Sequence, residues 1–344
     1  PFSTLVAGNT LYITSGKNLL SVELNDAGIM SGEIQKTALD DTSYGLATLP
    51  GHEDFVFLTT YTGAIAYAKK TSNGSFTTGK LTQGLYGYDN CSENCKLSDF
   101  KSVTPRGIAG TKDRVVFVEE GFKTVRAINV SFGALGPTPV SSEFIVGNKP
   151  DEFVTHPELN ENGFYAPSAL RLLPDMSAAY VIDSGRKSLI RFGVDGDRLT
   201  KAAIVLGPIE GMVRLSQIMD AGDKYVMFVA MYGNYPFVLY RVDIDKATKK
   251  ETVLPAWNGM LGSSKLAGLY WTKVDPNLTA IYVNDVSKKR IYRLPLKVNL
   301  TVDSSGGKEL EGQQWTYPRA FDVFIKDGKR MIAAFDYASR KISV

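Results

Sequence analysis

Acidic side chains recur in this chain at a fixed offset from an apolar residue. Asp183 stands six residues before Leu189, Asp285 six before Ile291, Asp336 six before Ile342 and Glu119 six before Val125. A carboxylate at such a place can do one of two things: cap the amides of a tight turn, or join others around a cation. A calcium centre draws six to eight oxygens from several converging elements. The positions that would have to supply them, the starts of the apolar segments leading into each unit, hold Arg106, Ser168, Arg214 and Arg319 instead. Capping is therefore the expected role of the acids, calcium has no supporting motif, and no cofactor is expected. The arginines suit a different chemistry. Arg106 and Arg319 each directly follow a proline, and a guanidinium pairs through two parallel hydrogen bonds with a carboxylate. Gathered together they would bind an anionic group; paired with neighbouring acids they would brace the fold.

Catalytic signatures are missing from the sequence. It has no Gly-x-Ser-x-Gly elbow, no Gly-x-Gly-x-x-Gly, no phosphate-binding Gly-x-x-x-x-Gly-Lys and no EF-hand loop. The two histidines, His52 and His156, lie in turn-like stretches and read as surface residues. No catalytic residue and no metal ligand is assigned. The two cysteines, Cys91 and Cys95, are separated by three residues in a polar stretch and are expected to close a small disulfide ring. Zinc is not expected there, since beyond the two cysteines the chain offers only His52 and His156 and no further Cys.

Five Asn-x-Ser/Thr triplets begin at Asn73, Asn90, Asn129, Asn277 and Asn299. Most fall at expected turns or strand ends, the exposed places that N-glycosylation requires. Asn90 is the weakest candidate because Cys91 stands in the middle of its triplet. Disulfide and sequons together predict a secreted or cell-surface protein.

What must hold these residues is a recurring unit. A short apolar strand turns and returns as a second apolar strand, first around Thr14 and Leu20, then Thr59 and Ile65, and so on to Asp336. The stretch Tyr225–Asp243 fits loosely, with Met231 and Phe237 in those roles. The markers step forward by about 54 residues, and a supersecondary unit repeating at that interval signals a radial or stacked repeat. A leading strand precedes most hairpins and opens on Pro or a small residue, as in Pro105-Arg-Gly-Ile-Ala, Ala166-Pro-Ser-Ala and Tyr317-Pro-Arg-Ala. Proline is tolerated at a first strand position, where no ladder donor is lost. A polar stretch such as Gly32–Leu39 follows as an outer fourth strand. Stretches 72–103 and 133–164, rich in Gly, Ser, Asn and Pro, read as surface loops. Amphipathic helical periodicity is absent. Three to four strands per unit with no helices predict an all-β propeller, seven-bladed in preference to six-bladed, because both terminal units carry their own hairpin. Residues 1–344 form a single propeller domain in this reading. Pro1 opens the chain without Met, as in a processed product or a piece of a longer chain, and Val344 falls within a strand-like pattern, which favours continuation.

The run Pro105-Arg-Gly-Ile-Ala, Arg114-Val-Val-Phe-Val-Glu and Val125-Arg-Ala-Ile-Asn resembles an NHL repeat, and Pro167–Phe192 and Pro318–Val344 are similar. Such repeats show a Pro-x-Gly-Ile/Val start, a Val-x-Asp strand end and an Arg-Ile-x-x-Phe return. The likeness covers about three repeats and departs at Thr14 and Thr59, where the acid is missing, and in the Tyr225 unit. It implies a propeller and no particular activity.

The net charge of +3 gives no reason to expect nucleic acid, and no apolar run approaches the ~18 residues that span a bilayer. The expected function is an extracellular, glycosylated binding or structural module with protein or glycan partners, copies of itself included. The alternative is a secreted propeller hydrolase, lactonase-like, with a divalent metal at the mouth of the channel. In a propeller the leading-strand starts ring that mouth, which is where Arg106, Ser168, Arg214 and Arg319 are expected.

Overall fold

The computed structural model describes residues 3–71, 74–85, 101–103, 105–121, 123–134, 136–147, 164–175, 177–195, 198–231, 239–261, 264–266, 269–285, 287–310, 315–339 and 341–344. Each hairpin of the sequence becomes the second and third strands of an antiparallel sheet, and each leading segment becomes the first. Blade one is Thr4–Ala7, Thr10–Ser15, Asn18–Leu24 and Met30–Ala38. Blade two is Ser43–Leu49, His52–Thr60, Ile65–Lys70 and Phe76–Lys80. Blade three is Pro105–Gly110, Arg114–Glu119, Thr124–Gly133 and Gly136–Gly147. Blade four is Pro167–Leu172, Ala178–Asp183, Ser188–Asp195 and Arg198–Leu206. Blade five is Met212–Leu215, Lys224–Met231, Leu239–Asp245 and Glu251–Trp257, with Met219–Asp220 as an extra short pairing. Blade six is Leu269–Val274, Ala280–Asp285, Arg290–Pro295 and Lys308–Glu309, and blade seven is Pro318–Lys326, Lys329–Asp336 and Lys341–Ser343. The fold is a seven-bladed β-propeller without helices among the described residues, which rules out the six-bladed alternative.

Side chains alternate between the two faces of a strand, and in the second strands both faces are apolar. Val115 and Phe117 pack with Phe55, Phe57 and Ile65 of blade two, while Val116 and Val118 pack with Leu170, Ala179 and Val181 of blade four. Blade six repeats the arrangement: Ile281 and Val283 join Val226 and Phe228 of blade five, and Ala280 and Tyr282 join Phe321 and Ala334 of blade seven. A sheet sandwiched in this way needs unbroken apolar strands, and Ala178–Asp183 and Ala280–Asp285 are buried at every position. The chain divides into two compact units: Phe2–Glu23 with Gly32–Ile204, holding blades two and three and most of blades one and four, and Pro1, Leu24–Ser31 and Val205–Val344, holding blades five to seven.

Crowding between neighbouring first strands explains their small residues. A side chain at Gly107 would bring its Cβ to 2.8 Å from the Leu170 backbone nitrogen and 3.1 Å from the Ala169 Cα. At Gly45 the Cβ would come to 2.8 Å from the Arg106 carbonyl oxygen. Only glycine admits so close a backbone approach.

Two sequence expectations are corrected. The stretch 133–164 contains a regular strand: Gly136–Gly147 pairs along nearly its whole length with Thr124–Gly133, and two register shifts accommodate its prolines and serines. The equal spacing of the first two hairpins hides shorter turns. In blade one Ser15 pairs with Asn18, and in blade two the turn closes between Thr60 and Ala64, so Thr60 rather than Thr59 occupies the place of the acids.

Candidate functional site

Strand register puts the predicted site residues at an irregularity that six of the seven blades share. Pro105, Pro167 and Pro318 pair with Glu119, Asp183 and Asp336, and the first strand then carries a residue more than its partner before the ladder resumes. The same shift follows Ser43, Met212 and Leu269. A β-bulge of this kind bends the strand and re-aims the side chain it carries. Arg106, Ser168 and Arg319 lie in the bulge and so does Tyr44, an equivalence that the sequence reading missed. Arg214 is corrected: Val213 is the bulged residue of blade five, and Arg214 pairs with Ala230 one place further on. The side chain of Arg319 lies outside the described set.

Opposite the bulge, the recurring carboxylates cap. Asp183 accepts hydrogen bonds from the backbone N–H of Tyr165 (2.6 Å) and Ala166 (2.8 Å), which lead into the first strand, and of Gly185 and Arg186 (3.1 Å each) in its own hairpin turn. Asp336 does the same with Thr316 and Tyr317 on one side, and Ala338 and Ser339 on the other. Asp285 accepts from Lys288 at 3.0 Å. Buried polar groups must be bonded, and one acid here satisfies two chain segments. Glu119 instead accepts from the Thr124 hydroxyl at 3.0 Å and faces Arg126 at 3.8 Å, with all three side chains buried.

Blades two to four combine these parts into a surface of tyrosines and cations. The Arg106 guanidinium lies 4.4 Å from the centre of the Tyr44 ring, and its Nε donates to Glu120 at 2.6 Å. Burial works against its charge, but the Glu120 and Tyr44 contacts raise its pKa above the usual arginine value, so it stays cationic. Its backbone carbonyl accepts from the Thr59 hydroxyl at 3.0 Å, which ties blades two and three. Tyr61 lies 6.0 Å from Tyr44, ring centre to ring centre. In the next interval Lys123 places its ammonium 4.8 Å from the Tyr165 ring centre, Gly185 abuts the same ring, and the Ser168 and Ser184 hydroxyls are 2.9 Å apart. Among the described residues the most exposed aromatic side chains are Tyr61, Tyr165 and Tyr337, at 44, 54 and 51%. Each stands at the entry to a first strand or in a second-to-third-strand turn, so exposure of large rings concentrates at one end of the blades. The sequence could have shown this: Tyr44 precedes a glycine just as Arg106 does, and Lys123 and Lys187 each stand four residues after a strand-end acid or its neighbour.

Beside this surface a cavity of about 310 Å³ is lined by Asp40, Asp41, Thr60, Thr62, Thr78 and Lys80. Asp41 is occupied by the N–H groups of Thr42 and Thr62, and Asp40 pairs with Lys80 at 2.8 Å, so its acids serve the fold. No group of three or more His, Cys, Asp or Glu arranged for a metal occurs among the described residues. His52 opens a strand and stacks on Phe132 at 3.5 Å.

The sequons separate by environment. Asn277 and Asn299 are exposed on turns, and the Asn299 side-chain oxygen accepts from the Thr301 hydroxyl of its own triplet at 2.7 Å. Asn129 lies inside the third strand of blade three, half-buried, with its amide nitrogen donating to Ser141 at 2.6 Å. Asn73, Asn90, Cys91, Cys95 and His156 lie outside the described residues. No helix among the described residues is long and apolar enough to cross a membrane.

No protein-family model matches the chain and no curated protein matches its sequence. Solved structures do match its fold. The β-propeller domain of Cps50 (Swd1) from Myceliophteria thermophila has a TM-score of 0.64 at 6% identity, over 99% of this chain and 95% of that one. The periplasmic gluconolactonase PpgL of Pseudomonas aeruginosa has a TM-score of 0.57 at 13% identity, over 88% of this chain and 82% of that one. A chain in a nidogen/laminin complex has a TM-score of 0.51 at 13% identity, over 88% and 92%. Identities this low speak for the shared fold alone.

Proposed function

We propose that this propeller is a secreted, N-glycosylated binding module, working without cofactor or catalytic turnover through the bulged ends of blades two to four. The observation that carries the proposal is the surface itself: Tyr44 stacked under Arg106, Tyr61 beside it, and Tyr165 under Lys123. Tyrosine and arginine are the side chains that dominate protein interfaces, because each offers a large rigid area with a polar tip. A propeller of similar fold taking part in a nidogen/laminin complex supports a partner-binding role. Glycans are placed at Asn277 and Asn299 before Asn129, whose nitrogen is engaged in the sheet.

The test is binding of the wild-type chain, against a Tyr44→Ala/Tyr61→Ala/Tyr165→Ala variant of unchanged thermal midpoint, to an array of purified extracellular proteins and glycans. Binding lost in the variant supports the reading, and binding that survives overturns it. Mass measurement before and after glycosidase treatment decides the glycans. A second reading, a lactonase-like hydrolase, draws on the gluconolactonase among the similar folds. Lactone hydrolysis abolished by chelation would put that reading in place of the first.

A further inference from the structure

The cavity of blade two is held open from three sides. Asp41 accepts from the Thr62 N–H, which ties the segment entering the first strand to the hairpin turn, and the Thr60 hydroxyl closes that turn by donating to the Ala64 carbonyl at 3.0 Å. The fourth strand brings Thr78, Gly79 and Lys80 to the cavity and is paired with the third along Phe76–Lys80. Walls fixed in this way stand ready before a ligand arrives, which lowers the cost of binding one. At about 310 Å³ the space lies at the small end of the roughly 300–1,000 Å³ that ligand pockets span. It suits one small group.

The lining says which group. Leu39 and Ala66, both buried, give it an apolar base, and Thr62 and Thr78, both exposed, bring hydroxyls that can donate and accept. Asp40 and Lys80 form an ion pair at 2.8 Å, and that hydrogen bond holds the Asp40 carboxyl below the usual aspartate range, so the pair stays charged and neutralises itself. Asp41 has one oxygen on the Thr42 N–H and the other on the Thr62 N–H. No single charge is thus left to select an anion or a cation. Lys80 still has N–H donors beyond the one that Asp40 takes, because an ammonium carries three.

Resting on the binding-module reading, we infer that this cavity is the subsite for one neutral sugar residue of a glycan, held by the Thr62 and Thr78 hydroxyls and the Lys80 ammonium over the Leu39 and Ala66 base. A sugar ring has apolar C–H faces and an edge of hydroxyls that both donate and accept, which is the complement of this lining. A protein side chain of the same size brings one or two polar atoms at its tip and leaves the other hydroxyls of the cavity unmatched. The turn that walls the cavity also carries Tyr61, 44% exposed, between Thr60 and Thr62. Cavity and tyrosine surface therefore share one element, and a glycan seated in the first begins beside the second.

Saturation-transfer NMR on the full chain tests this inference with glucose, galactose, mannose and N-acetylglucosamine, and with glucuronate and glucosamine as charged counterparts. At least one neutral sugar should bind, with an affinity that changes little as salt rises. Thr62→Val/Thr78→Val keeps the branched shape and removes both hydroxyls. It should bind that sugar roughly tenfold more weakly, for two lost hydrogen bonds, at an unchanged thermal midpoint. Thr77→Val, one place along the same strand and so on its other face, should bind like wild type. Neutral sugars that fail to bind, or that bind the double variant as well as wild type, overturn the inference. A preference for glucuronate overturns it too, by making Lys80 an anion site. If the sugars fail while the protein array still binds through the tyrosines, the binding-module reading stands without the subsite; an array partner lost in the double valine variant then assigns the cavity to that partner's side chain. If a lactone is turned over and chelation stops it, both readings fall.

Discussion

Blades two and four solve one mechanical problem with the acid on opposite sides. In blade four Asp183, at the end of the second strand, reaches across to the chain entering the first strand and back to its own turn. In blade two the strand end is Thr60, and the acid comes from the entering chain: Asp41 accepts from Thr42 beside it and from Thr62 in the hairpin turn. The Thr60 hydroxyl contributes a local turn bond by accepting from Ala64 N–H at 2.9 Å. In blades two, four and seven one acid thus bridges entry and turn, and which residue supplies it varies.

The largest expected effect separates the two solutions. Asp183→Ala should destabilise the protein by about 3 kcal/mol, since it leaves four N–H groups to find new partners in a largely buried place, and Asp41→Ala by about 2 kcal/mol for its two. Shifts in the denaturant midpoint measure both, and their sum should hold in the double variant because the two acids share no partner. Adding Thr60→Asp to Asp41→Ala should restore about 1 kcal/mol by moving the acid to the blade-four position. No recovery would mean that the two geometries are not interchangeable.

Next comes the crowding between first strands. Gly107→Ala should cost about 2 kcal/mol, because the new methyl meets the backbone of Ala169 and Leu170 rather than a side chain free to move. Smaller still is the coupling of Arg106 to Tyr44. A double-mutant cycle with Arg106→Ala and Tyr44→Ala should return about 0.5–1 kcal/mol, and a value near zero would show that the stack is incidental.

The smallest effect sharpens the contrast between buried and exposed caps. Asp245 caps the third-to-fourth-strand turn of blade five, and the Thr248 N–H and hydroxyl hold its carboxyl below the usual aspartate range. A carboxyl with a depressed folded pKa lends stability that is present above its unfolded pKa and is lost as pH falls through the folded one. An NMR titration should show its midpoint displaced downward, and Thr248→Ala should return it toward the ordinary value.

The same contrast shows what the sequence could reveal. Asp183, Asp285 and Asp336 announce their blades because an acid after an apolar strand is a local pattern, and the hairpins place nearly every second and third strand. Asp41 announces nothing: its partner Thr62 lies across a whole hairpin, so only the folded chain brings them together. The longest fourth strand, Gly136–Gly147, was hidden for a related reason. Lying at the edge of its sheet and paired on one side only, it has no need of the apolar run by which strands are recognised. Of the candidate site, Arg106 and Ser168 were legible from the proline before them. Tyr44 left a weaker sign, a following glycine without the proline, and the contact of Lys123 with Tyr165 left none, because a contact between blades carries no fixed spacing along the chain.

The bridging acids also bear on how damage spreads. Asp41, Asp183 and Asp336 each tie the entry and the turn of their own blade, so a substitution that breaks one bridge leaves the other two with every partner they had. A loss of that kind loosens one blade at its end and stays there.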